Sequence, residues 1–223
     1  APMAAAQLLA SAGAAYRAGK MEQAAQQAQA ALKADPAMAD AHTLLAAIAI
    51  ENSDQEAAGR HYQQALAIAP GKGAYANNYG TWLCSNGRAA ESLSWFDKAV
   101  ADPEYGTRAT ALANAGTCAH RTGQLGRAEA YWRQALALEP TEMQSLAGMA
   151  NLEFARARYL EARAFAERWL GIAPSDREAL QLASQIELKL GDTTRPHATF
   201  NDCRRCPPAP STHPVRNDHP PHD

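Results

Sequence analysis

A proline that recurs every 34 residues constrains the fold of this chain more than any other feature. Pro36 and Pro70 are 34 residues apart, and so are Pro140 and Pro174. The gap from Pro70 to Pro140 is 70 residues, which is two periods and two extra residues, and the extra length falls near Pro103. Each proline closes a short apolar run such as LKADP or LALEP, and proline cannot continue a helix. The period therefore predicts an array of two-helix repeats.

The composition suits helices that pack closely together. Apolar residues make up 47% of the chain, with a large share of Ala, and aromatic residues only 7%. Ala and Leu are strong helix formers, whereas strands favour aromatic and β-branched residues. No apolar run reaches the about 18 residues expected of a membrane-spanning helix. The net charge of −2 and the pI near 6.4 argue against nucleic-acid binding, which normally uses a basic surface.

Small and bulky residues keep a fixed register within the period. The predicted repeats start near Ala5, Ala39, Gly73, Ala109 and Met143, with a sixth start at Arg177. The second helices carry a small residue at Ala24, Ala58, Ser92, Ala128 and Ala162, and a bulky one at Tyr62, Phe96 and Trp132. Gly80 and Gly116 take the small position of two first helices. Gly19, Gly87 and Gly123 stand in the turns, where a left-handed residue ends a helix at low cost.

This register resembles the tetratricopeptide repeat over roughly Ala5 to Asp192. The resemblance implies an all-α fold, a tetratricopeptide solenoid of helix-turn-helix repeats that forms a right-handed superhelix. We expect about five repeats and a sixth first helix over residues 1–192. One repeat cannot bury its own apolar face, so stacking of neighbours supplies the core.

The last segment, residues 193–223, departs from the repeat. It contains seven prolines, which oppose helix and favour an extended, disordered tail. Cys203-x-x-Cys206 lies there with four histidines, and such a pair can be half of a zinc site or a redox pair. Without a second CxxC or a βαβ context we interpret these cysteines as incidental. No metal or cofactor is predicted.

Polar side chains recur along the predicted first helices. Asn78 and Asn114 take equivalent positions, and so do Thr81 and Thr117. The residues of this ladder are Asn77, Asn78, Thr81, Asn114, Thr117, Arg121 and Asn151. An Asn amide offers both a donor and an acceptor, so it can pair with an extended peptide. The same residues could instead form hydrogen bonds between neighbouring helices, and the sequence leaves both roles open.

Cys84 and Cys118 fall on consecutive first helices. Neighbouring helix axes lie about 8–10 Å apart, so facing residues can reach the Cα separation of about 5.5 Å that a disulfide needs. Two buried thiols that behave as small apolar side chains would fit the pattern equally well. The positions alone do not decide between these two states.

The segment from Asn77 to Leu136 also resembles a more specific family. Its runs NNYGTWLC, ADPEYGT and ALANAGTCA are similar to those of the PilW (or PilF) type IV pilus biogenesis and stability proteins. The resemblance implies a periplasmic, outer-membrane lipoprotein that assists assembly of the pilus secretin, or stabilises pili, by binding the secretin or other pilus assembly proteins. It also implies a disulfide between Cys84 and Cys118, which suits the oxidising periplasm. We expect membrane attachment only through an N-terminal lipid anchor, which this chain, starting at Ala1, does not include.

No catalytic motif is present, and the chain is not predicted to be an enzyme. GxSxG, HExxH, a P-loop and a helix-opening GxGxxG are all missing. The alternative function is a cytosolic tetratricopeptide adaptor that binds a partner peptide or C-terminus. Such clamps use Lys and Arg beside Asn, whereas Ala74 and Thr110 stand where basic residues would help. An accessory subunit of an enzyme is a third hypothesis.

Two further sets of residues are interpreted as structural. His42 and His61 lie on different predicted helices, each without a Cys or second His three or four residues away, so we interpret them as surface or packing residues. The fifth repeat is basic. Its arginines, Arg156, Arg158, Arg163 and Arg168, are interpreted as a solvated face paired with Glu153, Glu161 and Glu167.

Overall fold

The computed structural model describes residues 2–191, which form eleven α-helices and no strand. The first six helices are α1 (Pro2–Arg17), α2 (Met21–Ala34), α3 (Ala39–Glu51), α4 (Gln55–Ile68), α5 (Gly73–Ser85) and α6 (Ala89–Ala101). The other five are α7 (Arg108–Arg121), α8 (Leu125–Leu138), α9 (Met143–Ala155), α10 (Tyr159–Ile172) and α11 (Arg177–Leu190). The predicted all-α fold of helix-turn-helix repeats is confirmed. The predicted tail, with Cys203 and Cys206, lies outside the described residues.

These helices belong to two compact units, one that ends at Thr107 and one that begins at Arg108. In the first unit, α1–α2, α3–α4 and α5–α6 are antiparallel hairpins, and α2 packs on α3 and α4 on α5. In the second unit, α7–α8 and α9–α10 are the hairpins. Helix α11 packs on α10 and α9, as the first helix of a next hairpin would. Each unit therefore repeats the same stacking of hairpins.

The repeat boundaries follow the spacing of the prolines. Helices begin at Ala39, Gly73, Met143 and Arg177, the residues expected from the sequence. The loop between α6 and α7 holds the two extra residues, since it spans residues 102–107 while the other loops between repeats have four residues. Within this longer loop, Asp102 Oδ2 accepts a hydrogen bond from the backbone N–H of Gly73 at 2.7 Å. The insertion is thus anchored to the start of α5.

The turns inside the hairpins all use a left-handed residue. Gly19, Gly87 and Gly123 have φ between +73° and +80°, as expected for glycine at these positions. Ser53 and Ala157 adopt φ of +62° and +58° in the second and fifth repeats, where the sequence has no glycine. The turn geometry is therefore kept even where the residue type opposes it.

The core combines many Ala side chains with larger aliphatic and aromatic ones. Ala24, Ala58, Ser92, Ala128 and Ala162 are all fully buried. Tyr62, Phe96 and Trp132 are also buried and fill the space beside the small residues. Aliphatic side chains such as Leu83, Leu146 and Ile186 are fully buried as well. The core therefore needs few aromatic residues.

Candidate functional site

The polar ladder falls on three helices, with three of its residues on α5, three on α7 and one on α9. On α5, in the first unit, Asn77, Asn78 and Thr81 are buried, and each takes part in an interaction within the protein. Buried amides need hydrogen-bond partners, because an unpaired one costs about 1–3 kcal/mol. Their predicted role in peptide binding stays a prediction.

In the second unit, Asn114 and Thr117 of α7 are brought together by a residue that the sequence analysis missed. Gln144 of α9 donates from Nε2 to Thr117 Oγ1 at 2.8 Å and to Asn114 Oδ1 at 3.4 Å. Thr117 Oγ1 in turn donates to the backbone oxygen of Ala113 at 3.2 Å. One amide therefore links two neighbouring first helices, which is one of the two roles that the sequence left open.

The position of Gln144 within the repeat could have pointed to its role. Gln144 is the second residue of α9, and it occupies the position of Thr110 in α7 and Ala74 in α5. In the sequence, Ala74 and Thr110 served only as an argument against a carboxylate clamp, because neither residue is basic. A Gln side chain at the third equivalent position is long enough to reach the preceding first helix, whereas Ala and Thr are not.

The two remaining ladder residues present their side chains to solvent. Arg121, the last residue of α7, is exposed and lies one turn after Thr117. Asn151 of α9 is exposed as well, and its Nδ2 donates to the backbone oxygen of Ala147 at 2.9 Å. A guanidinium and an amide can bind carboxylates and peptide groups. The exposed polar groups of this ladder thus belong to the second unit.

The two cysteines of the first helices, Cys84 and Cys118, are buried. Cys84 lies near the end of α5 with 4% of its surface exposed, and Cys118 lies in α7 with none. Burial of this degree suits a bonded cystine and an apolar thiol alike. The pairing of these two residues stays a prediction.

The structure also joins two histidines that the sequence analysis treated separately. His42 of α3 and His61 of α4 approach with 3.1 Å between their Nδ1 atoms, and both are half-buried. Burial lowers the pKa of His42. Burial also lowers the pKa of His61, with smaller effects from His42 and Arg60. Both rings are consequently neutral over a wider pH range than a free histidine.

The basic fifth repeat forms a charge network rather than a simple solvated face. Arg156 Nη1 pairs with Glu129 Oε2 at 2.6 Å and with Glu153 Oε1 at 3.0 Å. Arg158 pairs with Glu153, which is 1% exposed, at 3.4 Å. The predicted pairing of these arginines with Glu153 is confirmed, while Arg163 pairs instead with Glu187 of α11 in two hydrogen bonds. The network joins α8 to α9 and to the turn between α9 and α10.

Among residues 2–191, no three His, Cys, Asp or Glu side chains come together in a way that would hold a metal ion. None of the helices described above combines the length and the apolar character that crossing a membrane requires.

Comparison with known proteins places these hairpins in a family. The tetratricopeptide repeat model matches residues 9–73 and 108–177. Among curated proteins, the type IV pilus assembly protein PilF of Pseudomonas aeruginosa is 29% identical over 147 residues. The match spans 66% of this chain but only 58% of the length of that relative.

Solved structures agree with this relationship. The crystal structure of PilW, a widely conserved type IV pilus biogenesis factor, has a TM-score of 0.77 and 30% identity, and the match covers 85% of this chain and 87% of PilW. The structure of Pseudomonas aeruginosa PilF has a TM-score of 0.80 at 24% identity, over 85% and 86% of the two chains, and supports the fold. The chain therefore belongs to the tetratricopeptide repeat family, in which it is a PilW/PilF-like type IV pilus protein.

Proposed function

We propose that this chain is a periplasmic scaffold for type IV pilus biogenesis, associated with the outer membrane, that assists assembly of the pilus secretin by binding protein partners. The likeness to PilW, at 30% identity over 85% of this chain, carries the proposal. Stacked helical repeats present extended surfaces for other proteins, so the fold suits a scaffold. The identity of the partner as a secretin rests on the resemblance to this family.

The binding surface that we propose lies on the first helices of the second unit. Gln144 and Thr117 hold α7 to α9, so the helices present their side chains in a fixed arrangement. Arg121 supplies a positive charge for a carboxylate of the partner. Asn151 keeps an amide oxygen and a second amide hydrogen for an extended backbone, since only one of its hydrogens is directed to Ala147.

Secretin assembly in a piliated bacterium from which the gene has been deleted tests this proposal. The deletion strain is complemented with the wild type, with Arg121→Ala combined with Asn151→Ala, or with Arg60→Ala as a matched control. Arg60 is a 59% exposed residue of α4 in an exposed pair with Glu56. Secretin multimers that resist detergent are measured on gels. We expect the deletion and the double variant to lose multimers and the control to keep them.

Two outcomes separate the parts of the proposal. Unchanged multimers in the deletion strain would rule out the role in secretin assembly. Loss of multimers in the deletion strain but full rescue by the double variant would keep the scaffold and move its binding surface elsewhere. Protein levels of each variant are measured on the same samples, so that instability is not mistaken for lost binding.

The disulfide between Cys84 and Cys118 is a second part of the proposal. It would close a loop of about 34 residues and stabilise the fold by roughly 3–4 kcal/mol in the chain-entropy model. Free thiols are titrated in denaturant on unreduced Cys203→Ser/Cys206→Ser protein exported to the periplasm. No free thiol on a monomer supports the bond and the compartment. Two free thiols would remove this support and favour the cytosolic adaptor.

A further inference from the structure

The histidine pair between α3 and α4 has a geometry that goes beyond a packing contact. The Nδ1 atoms of His42 and His61 are 3.1 Å apart, and the ring planes are inclined by 37°. Two neutral imidazoles at this distance share one hydrogen, so one Nδ1 donates and the other accepts. The lone pair of the accepting nitrogen is already directed at its neighbour. The two nitrogens therefore lie close enough together for one ion to bind both.

The distance between the two Nδ1 atoms suits a transition-metal ion bound to both. Imidazole nitrogens bind Zn²⁺ at about 2.0–2.1 Å. An ion at that distance from two nitrogens 3.1 Å apart subtends an angle of about 100° between them, which lies between the 90° of square-planar or octahedral sites and the 109° of tetrahedral ones. The two nitrogens therefore already have the separation that one ion requires, and each ring has to rotate to direct its lone pair at the ion. The hydrogen shared between the rings would move to Nε2 of its own ring, with no change in charge.

The surroundings allow such a site to be filled. Both histidines are half-buried, so water can reach the ion and complete its coordination. Metal binding requires the neutral form of each ring, so an ion competes with protons for the two nitrogens. The charges around His61 are mixed, because Arg60 opposes a cation and Asp54 attracts one. Arg60 is itself neutralised by Glu56 at 2.7 Å.

We propose that His42 and His61 form an exchangeable binding site for a divalent transition metal, with water as the remaining ligands. Imidazole ligands suit Cu²⁺, Ni²⁺ and Zn²⁺, and the general order of affinities places Cu²⁺ first. Two protein ligands leave the site open, unlike the closed four-ligand sites that hold structural zinc. The bound ion would cross-link α3 to α4 within one hairpin of the first unit. This site is independent of the surface proposed for protein partners.

Paramagnetic broadening by Cu²⁺ tests the site with residue resolution. Cu²⁺ is added in substoichiometric steps to ¹⁵N-labelled full-length Cys203→Ser/Cys206→Ser protein, which removes the two thiols of residues 193–223. Amide signals near His42 and His61 should broaden first. His42→Asn and His61→Asn are each expected to weaken this binding at least about tenfold, because outer-shell changes alone cost about 10–100-fold in metal affinity. His120→Asn, a change at an exposed histidine of α7, should leave it unaltered.

The outcomes decide between a metal site and a hydrogen-bonded pair. Broadening at α3 and α4 that is lost in both variants and kept in His120→Asn supports the site. Broadening that is confined to other histidines or to the N-terminus, or that persists at α3 and α4 without His42 and His61, overturns it. The wild-type spectrum alone locates the ion, so the test does not depend on the stability of a variant. The affinity should also fall as the pH is lowered and protons compete for the rings.

Discussion

The indole ring of Trp132 occupies the space that a side chain at Gly148 would need. A β-carbon built on Gly148 of α9 would overlap the indole, and one on Gly116 of α7 would overlap it too. Trp132 of α8 is therefore held between two glycines on consecutive first helices. A β-carbon on Gly80 of α5 would likewise lie 3.0 Å from Phe96 Cε1. These glycines serve close packing, since their backbone angles do not require glycine.

The first prediction follows from this packing. Gly148→Ala places a methyl group against the indole of Trp132, and the ring must shift within a filled core. Overpacking of this kind typically costs about 1–3 kcal/mol. We expect a clear fall in the thermal midpoint, measured by circular dichroism at 222 nm.

A matched control lies on α8. A β-carbon on Gly126 meets nothing within 4 Å, so Gly126→Ala adds the same methyl group in open space. It should leave the midpoint unchanged or raise it, because Ala in a helix is more favourable than Gly by about 0.5–1 kcal/mol. Equal effects of the two changes would mean that the contact with Trp132 is not what requires glycine at position 148.

The second prediction concerns the strained turn of the fifth repeat. Ala157 has φ of +58°, a left-handed conformation that costs an L-residue roughly 1–2 kcal/mol. Ala157→Gly should remove most of this cost and raise the midpoint in a thermal melt. Ala155→Gly, two residues earlier in the last turn of α9, should lower it, since glycine weakens a helix. A midpoint that falls in both variants would contradict the strain at Ala157.

The fold was predictable from the sequence because the same pattern of small, turn and proline residues recurs in successive repeats. The small residues, the prolines and the turn glycines each recur with the period, so helix starts such as Ala39 and Met143 could be placed to the residue. Even the two extra residues before α7 followed from the spacing of the prolines. Ala157 is strained because it takes the left-handed turn position that glycine occupies in three other hairpins.

The site was predictable only in part, because its contacts join residues that are distant in sequence. Gln144 reaches Thr117 across 27 residues, and His61 reaches His42 across 19. A search for ligands three or four residues apart on one helix cannot find such pairs. Arg163 shows the same limit, because its pairing with Glu187 of α11 spans 24 residues.

The third prediction concerns the hydrogen bonds by which Gln144 holds α9 to α7. Gln144→Ala removes the hydrogen bonds to Thr117 and Asn114 and leaves their oxygens with fewer donors. We expect the free energy of unfolding, measured by urea denaturation, to fall by about 1–2 kcal/mol, because these hydrogen bonds are buried. Gln134→Ala, at an exposed position on α8, should change stability by less than about 0.5 kcal/mol. Full stability of Gln144→Ala would show that these bonds do not hold α7 to α9.

The fourth prediction is a dependence of stability on pH that comes from Glu129. Hydrogen bonds from Arg156, and then from Arg133, lower the pKa of Glu129 below its usual value of 4.5. The folded chain therefore holds this proton less tightly than the unfolded chain. The stability that Glu129 contributes is fully present above the unfolded pKa, and it is lost as the pH falls through the folded pKa. Glu129→Gln should accordingly be less stable than wild type at pH 7.

This difference should shrink as the pH is lowered from 7 to about 3, because the unfolded wild-type chain then binds a proton at Glu129 more readily than the folded chain does, whereas the Gln side chain of the variant does not titrate. Other carboxyl groups titrate in the same range, so the quantity to measure is the difference in thermal midpoint between the two proteins at each pH. Glu56→Gln is the matched control, because the pair of Glu56 with Arg60 is exposed to solvent and such pairs contribute little at any pH. A difference for Glu129→Gln that stays constant down to pH 3 would mean that the side chain acts through packing, and that its charge is not what stabilises α8 against α9.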